Sequence, residues 1–361
     1  MLSNPFILSF TLLLSLPILF FLAPRILLPS NSVPPIPTSD EVHDLSLFNR
    51  AASSSSSGSL SHLSSTRPKF KIAFLFLTNS DLHFSPLWNR FFNKSNKNLY
   101  NIYIHADPTV NISTPGGVFQ SNNFITSKRT YRASPTLVSA ARRLMATALL
   151  DDPANAFFAL ISQHCIPLHS FKYTYQSLLA SSTFDYSSSP TELTTESGIR
   201  VKYKSFIEIK SRDKRLWKRY TARGRYAMMP EVPFEKFRVG SQFFVLTRKH
   251  AVLVIKDRTL WRKFKKPCYR ADECYPEEHY FPTLLSMKDP NGCTHYTLTR
   301  VNWTGTTNGH PYTYRPFQVS PQLIQNLRQS NYSQSYLFAR KFSPDCLKPL
   351  MKIADSVIFR D

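Results

Sequence analysis

The sequence predicts an α/β fold with a mostly parallel central sheet, preceded by an N-terminal transmembrane helix and a disordered stem. Short apolar runs, typical of strands covered on both faces, alternate with amphipathic helical segments from residue 69 onward. An almost unbroken apolar run covers residues 6–24, and a segment rich in serine and proline separates it from the folded part. These observations divide the chain into an anchor, a spacer and one large globular domain.

Residues 6–28 are predicted to anchor the chain in a membrane. The apolar run has no charge before Arg25, and about 20 apolar residues are enough to span a bilayer. This length favours an uncleaved signal anchor, although Leu22-Ala23-Pro24 leaves a cleaved signal peptide as the alternative. Residues 1–5 would then be a cytoplasmic tail. Four N-glycosylation sequons predict a lumenal location for the rest, and they begin at Asn93, Asn111, Asn302 and Asn331.

Residues 29–68 are predicted to be a flexible stem, because serine and proline dominate and runs such as 51–59 cannot build a core. Residues 69–361 follow as one lumenal domain. The 361-residue chain has 45 Lys and Arg against 23 Asp and Glu, a formal net charge of +22, which attracts anionic partners. Nucleic acid is not expected as a partner, since the sequence has no zinc-finger spacing, RNA-binding motif or basic heptad helix.

The folded part begins with a strand, a helix and a second strand. The apolar run 70–77 ends at Thr78-Asn79, a helix is predicted over 85–93, and the strand 100–105 ends before Asp107. Loops at the carboxyl ends of parallel strands bind nucleotides in such sheets, so Thr78, Asn79 and Asp107 are candidate ligand contacts. The alternative for Asp107 is that it only opens a turn before Pro108.

The next elements are a strand over 123–127, an amphipathic helix over 135–150 and a buried strand over 156–161. The buried strand runs into the polar segment 162–168. A polar cluster at the end of a buried strand indicates a binding site, and the alternative is a hydrogen-bond network at the core edge, tied by a disulfide at Cys165.

A basic aromatic run follows a Ser- and Thr-rich loop over 187–201. It is either a solvated face or a surface for an anionic or carbohydrate acceptor. Its members are Lys210, Arg212, Lys214, Arg215, Trp217, Lys218, Arg219, Tyr220, Arg223 and Arg225. A buried strand around 243–246 and a helix over 250–256 are predicted after it.

The five cysteines predict disulfides in a lumenal domain, two bonds with one thiol left over, and the pairing stays open. They are Cys165, Cys268, Cys274, Cys293 and Cys346. The alternative is a zinc site, which the wide gap between the first two of its ligands disfavours. That site would use Cys268, Cys274, His279, Cys293 and His295.

The segment 274–282 places Glu277, Glu278 and His279 among aromatic residues. Partial desolvation raises the proton affinity of a carboxylate and suits it to general-base catalysis. The alternative is that both glutamates only open a helix, because Pro276 fits the first helical position and acidic side chains suit the positive end of the helix dipole.

Several of these stretches together resemble the core 2/I branching β-1,6-N-acetylglucosaminyltransferase family (glycosyltransferase family 14), in particular its plant branch. The resemblance covers nearly all of residues 69–361. It is carried by 103–107, 141–144, 162–168, 240–242, 274–280, 300–303, 310–311 and 338–342.

The resemblance implies a Golgi type II membrane protein with a GT-A-like, Rossmann-type nucleotide-sugar fold, whose catalytic domain is 69–361. It implies that Glu278 is the catalytic base and that Arg300 and Lys341 bind the diphosphate of a UDP-sugar. Asp107, at the end of its strand, is a further candidate donor contact. The family lacks a metal-binding Asp-x-Asp motif, and this sequence has none either. Two fixed cations can neutralise the departing diphosphate, so no metal or other cofactor is expected.

Acceptor contacts are expected in the basic aromatic run, at Arg212, Arg215, Trp217 and Arg219. The chain departs from the family pattern at Cys165, Phe237 and Phe243, which leaves the donor sugar open, with N-acetylglucosamine as one candidate. The expected partners are a UDP-sugar, a glycan or glycoprotein acceptor and the membrane. The alternative is a Golgi protein of the same fold that binds polysaccharide without turnover.

Overall fold

The computed structural model describes residues 35–57, 69–93, 95–180, 182–185, 193–194, 200–306 and 310–361, together with Ser15. The predicted anchor, apart from Ser15, and parts of the predicted stem lie outside these residues, as does most of the loop predicted over 187–201. In the part of the chain that is described, no helix has both the length and the apolar character of a membrane span.

Twelve strands and ten α-helices make up the described chain. The strands are β1 (Lys71–Thr78), β2 (Tyr100–Ala106), β3 (Asn155–Ser162), β4 (Ile166–Pro167), β5 (Ser182–Asp185), β6 (Leu193–Thr194), β7 (Arg200–Tyr203), β8 (Ser205–Glu208), β9 (Val245–Thr247), β10 (Cys293–His295), β11 (Thr299–Val301) and β12 (Phe338–Arg340). The helices are α1 (Thr38–Ser57), α2 (Ser85–Asn93), α3 (Pro135–Asp151), α4 (Phe171–Ala180), α5 (Leu216–Tyr220), α6 (Arg248–Lys256), α7 (Trp261–Phe264), α8 (Pro276–Lys288), α9 (Pro321–Arg328) and α10 (Leu347–Ile353).

The central sheet has six strands in the order β10-β8-β9-β3-β1-β2. Pairs β1/β2, β1/β3 and β8/β10 are parallel, and only β9 runs against its neighbours β3 and β8. The prediction of a mixed α/β fold with a mostly parallel sheet is confirmed. Two small sheets accompany it, β11-β12-β4 and β5-β7-β6.

The core lies on both faces of the central sheet. The side chains of β1 alternate strictly between these two faces. Ala73, Leu75 and Leu77 face one apolar cluster with α3, α6 and α8, whereas Phe74 and Phe76 face another with α2, α9 and α10. Helix α3 begins where Ser134 caps it, with its side chain accepting the Thr136 N–H at 3.0 Å. Because both faces of the sheet are covered, side chains on both faces are apolar, and the strands appear in the sequence as continuous apolar runs.

The strand predicted over 123–127 is wrong. Residues 121–123 form a 3₁₀ turn, and Phe124 makes a single parallel bridge to Ile104. The Asn123 side chain donates to the Ile102 carbonyl oxygen at 3.1 Å, which ties the segment to the edge strand β2 without extending the sheet.

Part of the predicted disordered stem is a helix, so that prediction is corrected for residues 38–57. Helix α1 packs on α3 and α6 with Phe48 and Ala51 buried. The Asp44 carboxylate accepts hydrogen bonds of 2.5 and 2.9 Å from Arg143, and both side chains are less than 10% exposed. Positions 44, 48 and 51 share one helical face, a spacing that the abundant serines obscure in the sequence.

The cysteines form one disulfide rather than the two predicted. Cys268 and Cys274 are bonded, and the other three are free and buried. The zinc alternative finds no support in the described residues, where no three His, Cys, Asp or Glu side chains are grouped to hold a metal.

Candidate active site

A cavity of about 720 Å³ opens at the edge of the central sheet where β1, β3 and β8 have their carboxyl ends. Residues from these strand ends line it together with the start of α8 and the segment after β12. Of the residues predicted as the base or as donor or acceptor contacts, five reach the wall, namely Thr78, Asn79, Arg219, Glu278 and Lys341.

Glu278 stands in the first turn of α8. Tyr275 adopts a left-handed conformation (φ 40°) and turns the chain into the helix, and Pro276 occupies the first turn. The expectation that Glu277 and Glu278 open a helix is confirmed. Both residues of this turn also line the cavity.

A close backbone contact fixes this turn from the opposite side. The Gly240 N–H donates to the Glu278 carbonyl oxygen at 2.9 Å. A Cβ on residue 240 would lie 1.9 Å from the Glu208 carbonyl oxygen, so only glycine permits the approach. The segment 240–242 therefore connects the end of β8 to the proposed base.

Arg219 forms an ion pair with Glu278, with 2.6 Å between Nη1 and Oε2. The Glu278 side chain is 24% exposed. Burial raises the pKa of Glu278, and the nearby Arg219 counters this only in part. A carboxyl group with a raised pKa that still faces a cavity is suited to accept a proton from a substrate.

The His279 side chain contacts Arg219. Its Nδ1–H donates to the Arg238 carbonyl oxygen at 2.7 Å, which leaves Nε2 to accept from Arg219 Nη1 at 3.5 Å. Burial lowers the pKa of His279 to about 3, so the ring is neutral and can accept this bond. The ring stacks on Phe237, 4.6 Å between centroids. His279 is thus a positioning residue for the cation that meets Glu278.

Glu277 is buried beside Glu278. One of its oxygens accepts from the Ala133 N–H at 3.2 Å, and the other has no hydrogen-bond partner among the described residues. Burial, and then the charge of Glu278, raises the pKa of Glu277 to about 8. At neutral pH Glu277 therefore keeps its proton, which removes one of two adjacent like charges.

Besides Lys210 and Arg219, three cations line the cavity wall. Lys341 and Arg340 come from the end of β12, and Arg132 comes from the loop before α3. Burial lowers the pKa of Lys341, and the charges of Arg340 and Arg132 lower it further. The guanidinium of Arg340 lies over the Phe243 ring at 4.4 Å. Cations that destabilise one another in this way form a site for an anion.

Arg300 does not belong to the wall that the described residues form. Its strand neighbours Thr299 and Val301 line the cavity, and alternate strand residues point to opposite faces. The Arg300 guanidinium instead lies over Tyr336, 5.1 Å from the ring centroid, and Tyr336 is part of the wall. Arg340 does line the wall. Within the motif 338–342, only its neighbour Lys341 was predicted as a diphosphate contact.

Asp107 is also outside the cavity wall. Its carboxylate accepts four hydrogen bonds, from the N–H and hydroxyl groups of Thr109 and Thr130, at 2.6 to 2.9 Å. Burial alone would raise the pKa of Asp107, but these bonds outweigh it and lower the pKa. The residue holds the loop after β2, which agrees with the turn alternative.

The predicted acceptor residues divide into two groups. Arg219 lines the cavity, whereas Arg212, Arg215 and Trp217 are exposed outside it.

The polar segment predicted after β3 is also only partly in the cavity wall. Ser162, Gln163 and His164 reach the wall, and Cys165 is buried in the core, where its carbonyl oxygen accepts the Trp88 indole N–H.

Comparison with known proteins gives two matches. The sequence matches the family model of the core-2/I-branching enzyme over residues 72–202 and 194–328. It is similar to Glycosyltransferase BC10 of rice, Oryza sativa subsp. japonica, with 27% identity over 324 residues that cover 76% of this chain and 74% of the rice protein. The family match includes the turn that carries Glu278 and ends before Lys341.

Proposed function

Because the chain belongs to the core-2/I-branching enzyme family of glycosyltransferases, we propose that it is an inverting, metal-independent enzyme that moves a sugar from a UDP-sugar to a glycan or glycoprotein acceptor. We propose that it works in the Golgi as a single-pass type II membrane protein, anchored by residues 6–28. The observation that carries the catalytic proposal is Glu278, a carboxylate of raised pKa in the same cavity as a cluster of cations.

The reaction assigned to this cavity is a single displacement. The acceptor hydroxyl oxygen forms a bond to the anomeric carbon of the donor while the bond from that carbon to the diphosphate breaks. Glu278 takes the hydroxyl proton, and the UDP leaves as an anion. The base raises the nucleophilicity of the hydroxyl, and positive charge stabilises the leaving group.

Lys341 is the residue that we assign first to the leaving diphosphate. It lines the cavity, and burial and then the positive charges of Arg340 and Arg132 lower its pKa, a repulsion that a bound anion would relieve. Arg340 has a buried Nε without a hydrogen-bond partner in the described chain, which adds a donor on the same wall. Arg300, behind Tyr336, stays a prediction from the family resemblance.

Arg219 has a separate role on the acceptor side. Burial raises the pKa of Glu278, and the ion pair with Arg219 opposes this rise by favouring the charged form. An acceptor hydroxyl that approaches Glu278 must share the carboxylate with Arg219. The structure therefore supports a base that is oriented before the acceptor arrives.

The test is product formation from a panel of UDP-sugars and glycan acceptors, with and without EDTA. Glu278→Gln should lower kcat by about 10²-fold or more, because a positioned general base typically contributes 10²–10⁴-fold. Glu235→Gln changes an exposed glutamate outside the cavity wall and is the matched control. Retained activity in Glu278→Gln, or activity abolished by EDTA, would overturn the mechanism. Polysaccharide binding without transfer from any donor would favour the non-catalytic alternative.

A further inference from the structure

We propose that the acceptor is an acidic glycan whose carboxylate groups bind an exposed basic aromatic surface beside the cavity. This inference rests on the proposed function and specifies its acceptor. The basic aromatic surface consists of Arg212, Lys214, Arg215, Trp217, Lys218, Arg225, Tyr226 and Tyr269.

The five cations of this surface are exposed and uncompensated. None of Arg212, Lys214, Arg215, Lys218 and Arg225 forms an ion pair with an acidic group in the part of the chain described. The only acid between residues 210 and 225 is Asp213, which accepts the backbone N–H of Arg215 at 2.8 Å. Arginine also binds carboxylates through two parallel hydrogen bonds, so this surface is suited to a carboxylated partner.

Three aromatic side chains stand among these cations. Trp217, Tyr226 and Tyr269 are 51%, 74% and 85% exposed. Aromatic rings and arginine are enriched at the centres of binding interfaces, where a ring offers a large apolar face at small entropic cost. The flat faces of these rings also suit stacking against sugar rings.

Two of the aromatic residues, Trp217 and Tyr269, are held in place by the domain. Trp217 stacks on Tyr220 and meets Phe234 edge-on, at 5.8 and 4.9 Å between ring centroids. The disulfide-closed loop 268–274 holds Tyr269, whose N–H donates to the Ala222 carbonyl oxygen at 3.0 Å. A surface that is already ordered loses little entropy when a ligand binds.

The surface leads into the cavity. Arg219 belongs to the same helix, α5, as Trp217 and Lys218, and it pairs with Glu278. Lys210 and Asp213, just before this helix, also line the cavity. A glycan chain bound along α5 therefore has a hydroxyl within the region of the proposed base, and its acidic residues meet the cations outside.

The experiment compares oligogalacturonate with its fully methyl-esterified form, which has the same backbone without charge. Full-length protein in detergent is titrated with each, at low and at high NaCl. We expect the acidic form to bind about tenfold or more tightly at low salt and to lose this advantage at high salt, because exposed charges are screened. Equal binding of the two forms would overturn the proposal.

Two double variants locate the effect. Arg215→Gln with Lys218→Gln should weaken binding of the acidic form about tenfold, because the variant loses two solvent-exposed charge pairs with the carboxylates of the glycan. Lys348→Gln with Lys352→Gln removes two exposed cations from α10 and should leave binding unchanged. Equal losses in both double variants would overturn the assignment to this surface.

Two further readouts separate the possible outcomes. If anionic vesicles bind through Arg215 and Lys218 while the acidic glycan does not bind, the surface is for a membrane and the inference fails. If a neutral acceptor is glycosylated but the acidic form is not bound, the inference fails and the proposed function stands. If the acidic form binds but no sugar is transferred to any acceptor, the surface assignment stands and the proposed function fails.

Discussion

Asp44→Ala should destabilise the catalytic domain strongly, although residue 44 lies in the segment that the sequence predicts to be a stem. Asp44 on α1 is the partner of Arg143, and both side chains are buried. Burial raises the pKa of Asp44 more than Arg143 lowers it, so the pair itself adds little net stability. The substitution should nevertheless lower the free energy of unfolding strongly, because it leaves Arg143 buried without a countercharge.

The expected loss is about 3–5 kcal/mol, the usual effect of removing one partner from a buried ion pair. This is a large part of the roughly 5–15 kcal/mol by which a domain is stable. The melting temperature should fall by about 5–10 °C in a domain of this size. Urea unfolding and thermal melts of the full-length protein would both measure it.

Two variants make the test specific. Glu41→Ala breaks another α1 ion pair, with Lys265, but both of those side chains are about a third exposed, so the loss should be about 1 kcal/mol or less. Asp44→Ala with Arg143→Met removes both buried charges and should recover much of the stability. If Asp44→Ala costs no more than Glu41→Ala, α1 is not docked on the domain in solution and the reasoning is refuted.

The cavity gives three more tests. Glu277→Gln should flatten the pH dependence of stability, because a carboxyl with a pKa of about 8 keeps a proton that the unfolded chain releases near 4.5. The free energy of unfolding of the parent protein should therefore decrease as the pH rises from about 4.5 to about 8, by up to about 1.4 kcal/mol per pH unit. Thermal melts of both proteins at several pH values would test this, and the same pH dependence in the parent and in Glu277→Gln would contradict it. Arg219→Gln should move the acidic limb of the kcat/KM profile to higher pH, since Arg219 lowers the pKa of Glu278; an unmoved limb would contradict the pairing. Lys341→Ala should raise KM for the UDP-sugar about tenfold or more, and a change in acceptor KM alone would argue against its assignment.

Much of the fold was predictable because its strands are buried on both faces. Strands β1, β2 and β3 and helices α2 and α3 follow directly from apolar runs and helical periodicity. Family membership was predictable as well, because it rests on several motifs in a fixed order, and the family match confirms it.

Side-chain direction and tertiary partners were not predictable in the same way. Arg300 sits on a strand of only three residues, too short for its facing to be read from the sequence. Asp107 accepts a hydrogen bond from Thr130, which lies 23 positions later in the chain, and no local sequence pattern predicts this contact. Arg219 was found as one cation among many, and its pairing with Glu278 depends on how α5 packs against α8.

If residues 6–28 anchor the chain as proposed, the docked helix α1 also limits the distance between the cavity and the membrane. With the anchor proposed over 6–28 and a flexible stem to residue 68, the forty residues 29–68 could extend up to roughly 140 Å. Since α1 begins at Thr38, only the nine residues 29–37 connect the anchor to the folded body, a tether of about 30 Å at most. An enzyme held this closely would modify acceptors that pass near the bilayer surface, rather than sample the depth of the lumen.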